Sequence, residues 1–172
     1  MASSHPPPQT AAIIPYVKER LFAALAASGL FIFACVAPAM HVITVSSSSQ
    51  TNERDMAGLE LLAVGWMGVF ALNVGWYANP LLALALFLLV LGADRGALVV
   101  GTIAAIVGAS SLSWYVHPLP ADESGGRDIE LLYPSLGFVC WMLSLLIVPF
   151  TARELSSRLT ASAPAPTPEA TP

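Results

Sequence analysis

Long apolar runs separated by short polar stretches constrain this chain more than any motif in it. The run Leu21–Val45 alone covers 25 residues, and a helix needs only about 20 to cross the hydrocarbon of a bilayer. Just seven Lys and Arg residues interrupt a sequence that is 56% hydrophobic. They are Lys18, Arg20, Arg54, Arg95, Arg127, Arg153 and Arg158, mostly at the edges of the runs. Charged residues make up 10% of the chain, against about a quarter in soluble domains. The expected fold class is therefore all-α: a polytopic membrane helix bundle. At 172 residues it has room for four or five spans and no separate soluble domain. A net charge of −4 gives no basic footprint for nucleic acid.

The expected organisation is a flexible N-terminus over 1–17, a helical membrane bundle over 18–159 and a disordered Ala/Pro/Thr tail over 160–172, whose composition cannot bury enough to fold. Spans are expected at about 21–45, 80–95, 97–116 and 134–151, with Pro38 kinking the first. Ser46–Asp55 and His117–Tyr133 read as polar loops, and Asp94-Arg95-Gly96 as a polar turn. Asn79-Pro80 reads as a helix start, with Asn as cap and Pro at the first helical position.

Segment 57–78 decides the span count. It is long enough to cross, yet it contains Glu60, Asn73 and the glycines Gly65, Gly68 and Gly75. Five spans from a cytoplasmic N-terminus leave three basic residues inside and four outside. If 57–78 is instead re-entrant or interfacial, four spans put Lys18, Arg20, Arg95, Arg153 and Arg158 inside and Arg54 and Arg127 outside. Five against two obeys the positive-inside tendency. The expectation is four spans plus a re-entrant or interfacial segment, with five spans as the alternative. Localisation is expected in a bacterial cytoplasmic membrane, with the N-terminus and the C-terminus cytoplasmic. The preference for Arg over Lys, with abundant Ala and Pro, supports a bacterial source by association only.

Candidate polar membrane-site residues are Glu60, Asn73 and Asn79, because a polar group at membrane depth is costly unless it serves a purpose. Ala97, Gly101, Ala105, Ala109 and Ser113 recur every fourth residue and form a small-residue packing stripe. Trp66, Trp76, Tyr77, Trp114 and Tyr115 are the expected interfacial anchors. His41 and His117 share the outer face in the four-span reading and, with Glu60 or Asp122, are the residues to weigh for a divalent metal or acidity sensing. No short ligand spacing joins them, so no metal site is assigned. Cys35 and Cys140 lie inside apolar runs and read as small buried hydrophobes. No catalytic or phosphate-binding motif is present, and no catalytic residue, cofactor or enzymatic activity is expected.

The run Gly65-Trp66-Met67-Gly68, followed by Gly75-Trp76-Tyr77-Ala78-Asn79-Pro80-Leu81, resembles a segment of small uncharacterised bacterial multi-pass membrane proteins. That resemblance implies a membrane location and no particular activity. The leading functional expectation is a scaffold, accessory or interaction protein whose partners are the lipid bilayer and other membrane proteins or itself. The alternative is a subunit of a small transporter or channel built on the broken segment 57–80.

Overall fold

The computed structural model describes residues 15–46, 51–120 and 127–162. The expected flexible N-terminus up to residue 14, the tail from residue 163, and Asp122 lie outside them. Helix α1 runs Val17–Val36. It stops where Ala37 takes φ −77° and ψ 155°, because a following proline disfavours helical geometry in the residue before it. Pro38 thus ends the helix rather than kinking it. The next residues, Val42-Ile43-Thr44-Val45, are β-branched and suit a pleated strand. The expected span 21–45 is really two elements, α1 and strand β1 (Pro38–Ser46).

Strand β1 pairs antiparallel with β2 (Thr51–Ala57) on one side and β4 (Arg127–Pro134) on the other. A two-residue β3 (Leu119–Pro120) flanks β4, giving the order β2-β1-β4-β3. The all-α expectation is therefore corrected: the fold is mixed, a helical bundle bearing an antiparallel sheet. Both expected loops contribute strands. In β4, Ile129 and Leu131 turn toward the interior while Asp128, Glu130 and Leu132 are exposed. That is the period of two of a half-buried strand. Strand β2 has no such signal; only Met56 of it is buried.

The bundle is formed by α1, α3 (Ala78–Val90), α4 (Asp94–Ala109) and α5 (Leu136–Ala161). Its core includes Ala27, Leu82, Leu89, Ala104, Leu145 and Val148. A second core of Met40, Val42, Met56, Trp114, Leu131 and Phe138 lies beneath the sheet. Val17–Val36, Asp94–Tyr115 and Leu136–Ala161 are long and apolar enough to cross a membrane by length and composition. The second expected span, 80–95, corresponds to the shorter α3. Its C-terminal turn is made by Gly92 at φ 80°, a left-handed conformation that glycine adopts without a steric penalty. Asp94-Arg95-Gly96 is consequently the first turn of α4 and not a polar turn. Segment 57–78 is broken into α2 (Gly58–Val64) and 3-10 turns at Gly65–Ala71 and Gly75–Tyr77, reversing at Leu72 with φ 59°. No continuous second helix exists for the five-span alternative.

The small-residue stripe is corrected in register. Ala97 and Gly101 are buried, but the stripe continues through Ala104, Gly108 and Ser111, while Ala105 and Ser113 are half-buried and Ala109 is exposed. A strict four-residue repeat drifts by about 40° per step on a helix of 3.6 residues per turn, so alternating steps of four and three hold one face. At Gly101 a Cβ would stand 2.9 Å from Cδ of Pro149, which is why α4 and α5 can approach closely there.

Arg20 closes the end of the bundle away from the sheet. It is 1% exposed, and its Nη1 and Nη2 donate to the two carboxylate oxygens of Asp94 at 2.5 and 2.9 Å. Nη1 also donates to the Leu89 carbonyl at 3.0 Å and Nε to that of Pro15 at 2.9 Å. Arg20→Met should destabilise the fold by about 3–5 kcal/mol, the usual result of orphaning one member of a buried ion pair. The double variant Arg20→Met, Asp94→Leu should recover most of that loss. Unfolding in detergent checks both; equal losses in the single and double variants would show that Asp94 is not the partner Arg20 neutralises.

Candidate functional site

A half-open cavity of about 620 Å³ lies where the bundle meets the sheet. Ala34 and Cys35 of α1 form one wall, and Met40 and Met56 of the sheet form its roof. Leu61 of α2 and the 3-10 turns around Phe70 make the opposite wall. Trp114, Phe138 and Trp141 close the back. Size and lining match small-molecule sites, which typically occupy about 300–1,000 Å³ and are mostly apolar with a few placed polar groups. Here the polar side chains are Asn73, Asn79 and Ser111.

These groups are positioned by local structure. Trp76 folds back across the hairpin, its indole N–H donating to the Leu62 carbonyl at 2.8 Å. The Asn73 carboxamide oxygen accepts from the Gly75 N–H at 3.1 Å, an Asx-type turn that competes with helix. Asn79 lies inside α3 and does not cap it; its oxygen accepts from the Trp141 indole N–H at 2.9 Å. An indole N–H can only donate, so the Asn79 oxygen faces Trp141 and its NH2 faces away. Among the described residues that NH2 has no acceptor, and no fully buried polar side-chain atom lacks a partner, so it remains accessible at the cavity wall.

The sequence candidates divide between this site and others. Asn73 and Asn79 meet at the cavity, and Trp76 lines it. Glu60 is elsewhere, paired with Arg54 at 2.8 Å where β2 meets α2. Trp66 and Tyr77 keep exposed faces, as does Tyr115. Trp114 is no interfacial anchor: it is 4% exposed and donates to the Ile129 carbonyl at 2.9 Å, fixing the 3-10 turn Ser110–Tyr115 that follows α4 to β4. Sequence reasoning did not single out Trp141, Phe138 or Leu61. Trp141 carried a usable signal, since a tryptophan within a spanning run needs a partner for its N–H.

His41 and His117 are not joined. His41, on the central strand, bonds through Nδ1 to Asp55 Oδ1 at 2.7 Å and lies 3.6 Å from Glu53 through Nε2. Its ring stacks on Tyr133 at 4.6 Å between centroids. His117 is exposed. Among the described residues no group of three or more His, Cys, Asp or Glu is placed to hold a metal. Comparison of the chain with protein-family models, curated proteins and solved structures gives no match.

The hydrogen bond and charge of Asp55, reinforced by Glu53, raise the His41 pKa above its ordinary 6.5. A raised folded-state pKa means that this contribution to stability is complete below the unfolded value and is lost as pH climbs through the folded one. The sheet should therefore be more stable at mildly acidic pH than at pH 8, and His41→Gln should remove that increment. Asp55→Asn should lower the His41 titration midpoint measured by NMR. A midpoint that stays in place would refute the role given to Asp55.

Proposed function

We propose that the chain is an integral protein of a bacterial cytoplasmic membrane that acts as an accessory or interaction protein, binding other membrane proteins or a second copy of itself. Support for insertion comes from the apolar belt: Phe22, Leu25, Ile32, Phe87, Ile106 and Phe150 are all exposed on the bundle surface, far more apolar patch than a soluble monomer tolerates. Support for orientation comes from connectivity. Helices α1, α4 and α5 each run between the Arg20–Asp94 end and the sheet end, so α3 must return the chain between α1 and α4. With the 3-10 turn Gly75–Tyr77 that precedes it, α3 covers Gly75–Val90, about 24 Å at 1.5 Å per residue. Lys18, Arg95, Arg153 and Arg158 then sit at the cytoplasmic end with both termini, and the sheet is outside, in keeping with the positive-inside tendency.

The observation that carries the interaction role is the sealed bundle interior. Leu89, Ala97, Ala104, Leu145, Val148 and Ala152 are each 0% exposed, which leaves no polar path along the axis. Glu60 is held by Arg54 and the Asn79 oxygen by Trp141, so these two polar candidates of segment 57–80 are engaged within the fold. The role proposed is binding, not catalysis.

Two measurements test this. In a host chain with Cys35→Ala and Cys140→Ala, a membrane-impermeant thiol reagent should label Asn52→Cys in intact cells. It should reach Arg95→Cys and Ser157→Cys only after permeabilisation; the reverse pattern overturns the orientation. Photo-crosslinking from exposed bundle positions, followed by mass spectrometry, should capture a stoichiometric membrane partner or a dimer. Monomer alone, with no adduct from any bundle face, defeats the interaction role.

A further inference from the structure

We infer that the cavity beneath the sheet is a binding site for one acylated membrane lipid, with the Asn79 NH2 donating to an acyl carbonyl and the chain covering the apolar wall. The inference needs the bundle to sit in a bilayer, but it does not depend on the accessory role.

Three observations carry it. First, the half-open cavity is lined in part by Val64, Met67 and Phe70, which are 43%, 46% and 85% exposed. Apolar side chains shared between the lining and the outer surface join the cavity to the face that meets hydrocarbon in the proposed orientation, and an apolar space open to lipid is filled from lipid. Second, its level is defined. Asn79 and Ser111 lie at the sheet end of the bundle, in the first turn of α3 and just past the end of α4. This is the boundary between hydrocarbon and headgroups, where the ester carbonyls of a phospholipid reside. Third, the lining has a chemical polarity. Met40, Met56, Leu61 and Phe138 offer no hydrogen bond, while the Asn79 carboxamide offers a donor that the described residues leave unused. An amide donor on a mostly apolar wall selects an amphiphile with a hydrogen-bond acceptor next to a long apolar chain. A phospholipid and a free fatty acid share that chemistry. A free carboxylate would bring a charge that no cation among the lining residues balances, which favours the esterified chain.

The test uses the full chain purified in mild detergent, with native mass spectrometry for retained lipid. Reconstitution with a phospholipid carrying a photoreactive acyl chain then maps the contact, and a photoreactive free fatty acid runs in parallel. The expected result is one retained phospholipid per chain, with label on peptides containing Met40, Met56 or Leu61. Leu61→Trp fills the cavity and should cut labelling about tenfold, equivalent to about 1.4 kcal/mol of affinity. Asn79→Asp keeps the acceptor for Trp141 but replaces the donor, and it should lower phospholipid retention while the fold survives. Val99→Trp, on the exposed face of α4, should change neither. Labelling confined to the outer faces of α3 and α4 would overturn the inference, as would full retention in Leu61→Trp. A preference for the free fatty acid would overturn the esterified assignment. Because mapping is done on the unaltered chain, the outcome stands even where a variant fails to fold.

Discussion

The architecture hangs on two opposite charges buried at one end of a helical bundle. Removing an arginine and an aspartate from water costs several kcal/mol per ion unless geometry restores what hydration supplied. Arg20 and Asp94 meet that demand with a two-point bond, and the carbonyls of Leu89 and Pro15 take further guanidinium protons. The result ties the start of α1 to the α3–α4 turn. Because the carboxylate also opens α4, it interacts favourably with that helix's dipole. Once the start of α1 is held there, its far end is committed to the level at which β1 must begin. The sheet and the cavity follow from that commitment.

Much of the helical framework was legible in the sequence, because hydropathy measures what bundle helices need. The runs expected at 97–116 and 134–151 fall on α4 (Asp94–Ala109) and α5 (Leu136–Ala161), which differ from them mainly at their C-terminal ends, and the break in 57–78 was signalled by its glycines and by Asn73. The sheet was hidden for two different physical reasons. β1 is as apolar as the helix before it, so a hydropathy window merges the two; only the proline and the β-branched run mark the boundary. β2 has no pattern of its own and becomes a strand because β1 presents an edge to it, a tertiary effect that local sequence does not encode. β4 was the avoidable miss, since its alternation of acidic and aliphatic residues is visible by eye.

Side chains that looked like surface features turned out to serve the interior. Arg20 was counted among the cytoplasmic charges, yet its charge is neutralised by Asp94. The proposed orientation therefore rests on Lys18, Arg95, Arg153 and Arg158. Trp114 had the position of an interfacial anchor but is a strut between α4 and β4. In both cases the amphipathic nature of the residue permits either role, and only the neighbour across the fold decides. The cavity is the converse. It lies between the sheet and the bundle, and segment 57–77 walls that gap on one side without filling it.

The joints between sheet and bundle carry a mechanical implication. Ala37 alone separates α1 from β1, and Ser135 alone separates β4 from α5. Each central strand is thus a direct extension of a helix, and the two strands are paired from Met40 to Ser46, with one bulge where Leu132 is skipped between the His41 and Val42 pairs. A change in the tilt of α1 against α5 cannot be absorbed by slack at the joints. It must shear the ladder between β1 and β4, breaking its hydrogen bonds together. The sheet works as a yoke across the ends of two helices, resisting small differential motions and yielding only in register-sized steps.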